Sequence, residues 1–159
     1  MTAAEHDLVA GVLARLRSRG ETVATAESLT AGLLSAALTE VAGASAVVRG
    51  GLVVYATELK AELAGVDPAL LATGGAVQPK VAEQLAAGAR DRCRASWGVG
   101  LTGAAGPDPQ DGAAPGTVHI GFAGPSVATV FSTRLDGDRP AVRAAAIRVA
   151  LEQFGALLG

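Results

Sequence analysis

Apolar residues recur at helical spacing near the start of the chain. Leu8, Val9, Val12, Leu13 and Leu16 form one stripe across residues 4–19, and Arg15, Arg17 and Arg19 gather toward Gly20. That pattern predicts an amphipathic helix with cations in its last turns, where the helix dipole favours them. The period then shortens. Thr22–Ala26 reads as a short buried strand, and Glu27-Ser28-Leu29-Thr30 leads into residues 31–41, where Leu33, Leu34, Ala37, Leu38 and Val41 repeat helically. Val47–Tyr55 is a second strand, whose Gly50-Gly51 pair predicts a bulge or a close approach. Short helices are expected over Thr57–Ala64, stopped by Gly65, and after Asp67-Pro68. A longer helix opens at Gln78-Pro79 and runs to about Cys93, with Val81, Leu85, Ala86 and Ala89 inward. Trp97–Leu101 is a third strand. Thr117–Phe122 and Val127–Thr133 are two more, joined by a turn short enough to make them antiparallel. Gly137-Asp138-Arg139-Pro140 opens a closing helix over residues 141–158. The alternation of helices and strands, with one terminal hairpin, predicts a single domain over residues 1–159. Its expected class is α/β, a three-layer α/β/α arrangement around a mixed, mostly parallel sheet.

Composition narrows the function. Half of the 159 residues are apolar and 18% are charged, with a mean hydropathy of +0.37, which excludes a disordered chain. A net charge of -2 and 3% aromatics argue against a nucleic-acid binder, which needs a basic face and stacking rings. No apolar run is long enough to span a membrane. The opening Met1-Thr-Ala-Ala-Glu-His-Asp carries acids where a signal peptide would carry bases, so a cytoplasmic location is expected. The one cysteine, Cys93, leaves no intrachain disulfide and no cysteine-rich metal site. His6 and His119 are far apart and lack a second motif, so neither a histidine triad nor a zinc site is expected. Neither a dinucleotide fingerprint nor a P-loop is present. Eleven of the thirteen cations are Arg, and the two Lys are Lys60 and Lys80. A lysine in such a chain stands out, because Lys rather than Arg can lose its proton at a buried site.

Four places could carry chemistry. Thr25–Gly32 places a polar cluster between a buried strand and a helix, at what would be the ligand-binding carboxyl edge of an α/β sheet. Capping of the helix by Ser28 or Thr30 is the commoner use of such residues. Tyr55-Ala-Thr-Glu-Leu-Lys60 is a second strand-to-helix junction. If both lie at one edge, Lys60 could serve as the base of a serine nucleophile, whereas a surface lysine paired with Glu58 or Glu62 is the simpler reading. Such a base must have its pKa lowered, by burial or by the positive end of its own helix. Leu101-Thr102-Gly103-Ala-Ala-Gly106-Pro107 enters a long stretch without periodicity, where glycines let N–H groups approach a ligand. Last, Arg139 at a helix start could grip a phosphate, or Asp138 could cap that helix with Arg139 in solvent.

These segments, in this order, resemble the CinA C-terminal domain family, whose enzymatic members are nicotinamide mononucleotide (NMN) amidohydrolases. The matching segments are Thr25–Gly32, Gly43-Ala-Ser-Ala46, Gly51–Lys60, Gly74-Gly-Ala-Val77, Thr102–Pro107, Pro115-Gly-Thr-Val118 and Gly137-Asp-Arg139. The chain departs from the family pattern at Leu29, Ala31, Ala44 and Thr57, where the family usually has Cys, Gly, Ser and Asn. The resemblance implies a stand-alone form of the domain that converts NMN to nicotinate mononucleotide and ammonia through a Ser/Lys dyad and an acyl-enzyme. Ser28 would be the nucleophile and Lys60 its base, with Thr102 orienting Lys60 or shuttling a proton. Glu27, Thr30, Ser45, Tyr55, Gly103 and Arg139 would contact the substrate, with Arg139 on its phosphate and Tyr55 along its pyridine ring. No metal or organic cofactor is implied. The partners expected are a pyridine mononucleotide and a second copy of the chain in a homodimer, with no nucleic acid and no membrane. The alternatives are a non-catalytic nucleotide-binding module of the same fold, or an amidase of a related pyridine or small amide.

Overall fold

The computed structural model describes residues 1–159. Its helices are α1 (Ala3–Arg19), α2 (Leu33–Glu40), α3 (Thr57–Ala64), α4 (Pro68–Gly74), α5 (Pro79–Arg92) and α6 (Arg139–Leu158). The strands are β1 (Val23–Glu27), β2 (Val48–Val53), β3 (Trp97–Gly103), β4 (Thr117–Ala123) and β5 (Ala128–Arg134), in the sheet order β2-β1-β3-β4-β5. β1 runs parallel to β2 and β3, and β4 lies antiparallel to both β3 and β5. This is the expected mixed sheet, with β1 and β3 buried along their whole length at its centre. The expected bulge sits where the register on β1 jumps from Val48 to Gly50, and Gly50 takes φ 155 there.

Two cores, one on each face, make the three layers. Side chains of α1, α2 and α6 pack over one face around Trp97, Phe122 and Phe154. There the Phe154 ring meets Trp97 edge-on at 5.4 Å and stacks near Phe122 at 5.9 Å. The other face is covered by α3, α4 and α5, and its core is smaller and richer in alanine and valine. Here glycine has a specific use. Any Cβ at Gly98, Gly100 or Gly121 would collide with the backbone of α5 around Ala82 and Ala86. At these three positions the helix backbone rests directly on the strands, too close for a strand side chain between them.

The helix ends follow local chemistry. Thr2 and Glu5 form a capping box at α1, and Gly20 closes it in the left-handed conformation. Asp67 and Asp138 cap α4 and α6 ahead of a proline in the first turn. α2 differs from these: its N-cap is Gly32, with no capping side chain of its own.

Candidate active site

Three parallel strands deliver their carboxyl ends to one edge of the sheet, and β5, antiparallel to its neighbour β4, ends there too. Ser28 follows β1, Val54 and Tyr55 follow β2, Thr102 and Gly103 end β3, and Arg139 opens α6 after β5. Backbone bonds extend the ladder one residue beyond β1: Ser28 N–H donates to Leu101 O at 3.0 Å, and Val54 N–H donates to Glu27 O at 2.9 Å. The nucleophile candidate thus stands on a well-tied strand end.

Capping, the commoner role for Ser28 or Thr30, is filled by neither. The Glu27 side chain, fully buried, turns under the loop and accepts hydrogen bonds on both oxygens. Oε2 receives Thr30 Oγ1 at 2.7 Å, Leu34 N at 3.0 Å and Gly32 N at 3.1 Å. Oε1 receives Ser35 N at 2.8 Å, Ser35 Oγ at 2.9 Å and Thr25 Oγ1 at 3.2 Å. An acid inside the helix start satisfies the orphan amides and complements the dipole. The side chains of Glu27 and Thr30 therefore spend their polar atoms on each other and on α2, and neither side chain faces the cavity beside Ser28. The turn that makes this possible needs left-handed residues at Ala31 (φ 48) and Gly32 (φ 97). Ser28 is released from local work. Its hydroxyl has no partner within the protein and, since no buried polar side-chain atom lacks one, it opens to the cavity beside it.

Lys60 is not a surface residue. It is 1% exposed and pairs with neither Glu58 nor Glu62. Its Nζ donates to Val54 O at 2.9 Å and Tyr55 O at 3.2 Å. Burial pushes its pKa from the ordinary 10.5 down to about 8, against the opposing pull of the Asp111 and Glu58 carboxylates. Loss of water, rather than the helix dipole named as a possible cause from sequence, dominates. A neutral amine has two N–H bonds and one lone pair. Two carbonyls satisfy both N–H bonds and leave the lone pair to accept a proton. Val54 connects the two junctions, since its N–H holds Glu27 O and its C=O holds Lys60.

Thr102 is buried, and its hydroxyl donates to Ala76 O at 2.7 Å rather than to Lys60. The N–H of Ala76 donates to Asp111 Oδ2 at 2.8 Å, so the segment 74–77 is clamped between β3 and the loop that follows it. That loop folds back on itself through paired bonds between Gln110 and Ala113. Arg139 bridges the mouth, with Nη1 on Gly106 O at 3.0 Å and Nη2 on Tyr55 Oη at 2.7 Å. Asp138 does cap α6, by accepting from Ala141 N, but Arg139 does not point into solvent alone.

Together these elements enclose a cavity of about 60 Å³ lined by Ser28, Leu29, Tyr55, Gly103, Ala105, Gln110 and Arg139. Four residues singled out from sequence meet there: Ser28, Tyr55, Gly103 and Arg139. Lys60 and Thr102 lie buried at the same edge. Ser45 does not join them. It is an exposed residue in the turn before β2, which starts opposite the start of β1, so it belongs to the other edge of the sheet. That correction follows from β2 running parallel to β1: residues before one strand cannot meet residues after the other.

Sequence reasoning missed Gln110 and Arg143. Gln110 sits in a stretch without periodicity and gives no signal. Arg143 donates to Leu29 O at 2.9 Å and to Thr30 O at 3.3 Å. Its spacing of four from Arg139 on one helix places both cations on the same face, a signal that was available.

Residues 5–158 match the family described as the CinA C-terminal domain. A CinA-like protein of Frankia casuarinae is 50% identical over 149 residues, covering 94% of this chain and 34% of that protein. A putative competence-damage inducible protein of a Geobacillus species is 46% identical over 129 residues, covering 80% of this chain and 31% of its own. The chain thus spans about a third of the length of these curated relatives. Among solved structures, the competence/damage inducible protein CihA of Agrobacterium tumefaciens superposes with a TM-score of 0.92 at 36% identity, covering 100% of this chain and 98% of that one. A CinA superfamily protein of Klebsiella pneumoniae gives 0.93 at 32% identity, with 97% of each chain covered. The chain belongs to the CinA C-terminal domain family.

Proposed function

We propose that the protein is an amidohydrolase that converts NMN to nicotinate mononucleotide and ammonia, with Ser28 as nucleophile and Lys60 as general base and acid. One observation carries the reading. A serine hydroxyl without a protein partner opens on a cavity at the sheet edge where a buried lysine, held by two backbone carbonyls, has its pKa lowered to about 8. A structural lysine gains nothing from that burial, whereas a base working near neutrality requires it.

The chemistry balances with these groups alone. Ser28 Oγ attacks the carboxamide carbon as its proton passes to Lys60 Nζ, and the carbonyl π electrons move onto oxygen. The adduct collapses when the Lys60 ammonium gives its proton to the nitrogen. The C–N bond breaks, ammonia leaves and a nicotinoyl ester, still bearing the ribose phosphate, remains on Ser28. Water, deprotonated by Lys60, then attacks that ester, and Ser28 recovers its proton as the C–O bond breaks. The enclosed cavity is sized for the reacting carboxamide. The exposed Tyr55 and Arg139 at its mouth would face the ring and the phosphate, and Arg139 would exchange its neutral partners for phosphate oxygens.

The test is ammonia release from NMN by the purified protein, with nicotinate mononucleotide formed in equal amount. Nicotinamide riboside, which lacks the phosphate, should lose ~10–150-fold in kcat/KM, the equivalent of ~1.5–3 kcal/mol for hydrogen bonds to a charged group. Equal use of riboside and nucleotide would mark a general pyridine amidase. Binding of NMN without ammonia would mark a non-catalytic module.

A further inference from the structure

The reaction proposed above builds negative charge on the carboxamide oxygen, and fixed donors aimed at that oxygen are a large source of acceleration in acyl transfer. The turn after Ser28 shows which donors are free. Ser28 N–H is used by Leu101 O, Ala31 N–H by Ser28 O and Leu33 N–H by Thr30 O. Gly32, Leu34 and Ser35 give theirs to Glu27. Between residues 28 and 35, the N–H groups of Leu29 and Thr30 alone have no partner in the protein. Both residues are buried, at 3% and 0% exposure. A buried donor without an acceptor costs about 1–3 kcal/mol, so two in succession beside a nucleophile call for an acceptor that arrives with the substrate.

What holds them is also visible. Arg143 grips the carbonyls of Leu29 and Thr30 from α6. Across a trans peptide, the N–H of Thr30 points opposite to the C=O of Leu29. The guanidinium therefore fixes the direction of that N–H, away from itself, while Glu27 fixes the far end of the turn. Leu29 itself lines the cavity. We propose that the backbone N–H groups of Leu29 and Thr30 form the oxyanion hole, and that Arg143 is the positioning residue that aims them. The inference rests on Ser28 being the nucleophile.

Two readouts test it, one of them independent of NMN. A fluorophosphonate reacts with a serine nucleophile as an Oγ–P bond forms, the P–F bond breaks and the serine proton passes to the base. Its phosphoryl oxygen occupies the oxyanion position. Arg143→Gln and Arg143→Lys should fold as the unaltered protein does by circular dichroism. For Arg143→Gln, removal of the grip should slow both Ser28 phosphonylation and kcat for NMN by ~10–100-fold, below the ~10²–10³ of deleting a donor outright. KM should stay within about threefold and the midpoint of the pH profile should not move, because Lys60 is untouched. The Lys variant, which can reach one carbonyl, should fall between. Unchanged phosphonylation and kcat in both variants would overturn the oxyanion assignment and leave Ser28 as nucleophile. A raised KM at constant kcat would overturn it also, as the sign of a substrate-binding arginine. An unaltered protein that neither labels at Ser28 nor releases ammonia would remove the nucleophile itself and this inference with it.

Discussion

Glu27 shows how much one side chain can organise. A carboxylate at the end of a central strand takes the amides of the next helix, and by doing so frees the serine beside it from capping. Sequence patterning placed Glu27 at the junction but could not tell an acid that turns inward from one that faces substrate, because both need the same residue at the same spacing. Thr30 carried the same ambiguity, and its hydroxyl points to Glu27. Glu27→Gln is the discriminating change. It replaces one acceptor oxygen by a donor that faces donors, so at least one hydrogen bond to a charged group is lost and one repulsive contact is made. The expected cost is about 2–4 kcal/mol, read as a lowered urea midpoint at constant m. A Glu27→Gln protein of unchanged stability and raised KM would return Glu27 to the substrate side.

At the scale of elements, the hydrophobic periods together with the Gly and Pro signals foretold the α-helices and strands to within a few residues. The bulge in β2 was legible too, because the glycine pair has few other uses in a strand. What stayed hidden was contact across elements. Ser45 and Ser28 lie in similar polar turns, and the parallel pairing of β1 with β2 sends them to opposite edges. The clamp of Ala76 by Thr102 and Asp111, and the grip of Arg143 on Leu29 and Thr30, join residues with no periodic relation in sequence. The seat of α5 on the sheet was equally hidden, although the glycines that permit it were in plain sight. A Cβ at Gly100 would meet Ala86 N at 2.5 Å, with Ala82 O and Leu85 Cβ both at 2.6 Å, and the first two belong to helix backbone that cannot rotate away. Gly100→Ala should therefore destabilise the fold by ~2–3 kcal/mol, the upper part of the range for overpacking. Thermal unfolding several degrees below the unaltered protein would agree with this. An unchanged midpoint would show that α5 can lift from β3 without cost.

For the molecule as a whole, the buried lysine couples the proposed chemistry to stability. Lys60 titrates at about 8 in the folded protein and near 10.5 in the unfolded chain, so the unfolded state binds more protons between those values. Stability then rises with pH through that window, and below about pH 8 the full penalty is present and constant. A shift of that size corresponds to about 3 kcal/mol. Lys60→Met abolishes the titration and also strips the Val54 and Tyr55 carbonyls of their donor, so the two proteins are best compared by slope. The stability of the unaltered protein relative to Lys60→Met should climb by up to about 3 kcal/mol from pH 8 to 10.5 in urea unfolding, and should stay flat from pH 6 to about 7. A difference that is level across the alkaline window would mean that Lys60 keeps its ordinary pKa. No helix of the protein is long and apolar enough to cross a membrane, and no group of three or more histidine, cysteine, aspartate or glutamate side chains is disposed to hold a metal ion.

The central claim, a serine nucleophile served by a deprotonated lysine, is tested most directly by the pH dependence of kcat/KM for NMN deamidation, measured alongside Ser28→Ala and Lys60→Arg. The value should rise with pH through a single ionisation near 8, the pKa that burial gives Lys60 in the free protein, and level off above it. Arg keeps the charge but cannot give up its proton, so Lys60→Arg should be as silent as Ser28→Ala, each slower than the unaltered protein by ~10³-fold or more. A rate that does not change with pH across neutrality, or an active Lys60→Arg protein, would contradict the account.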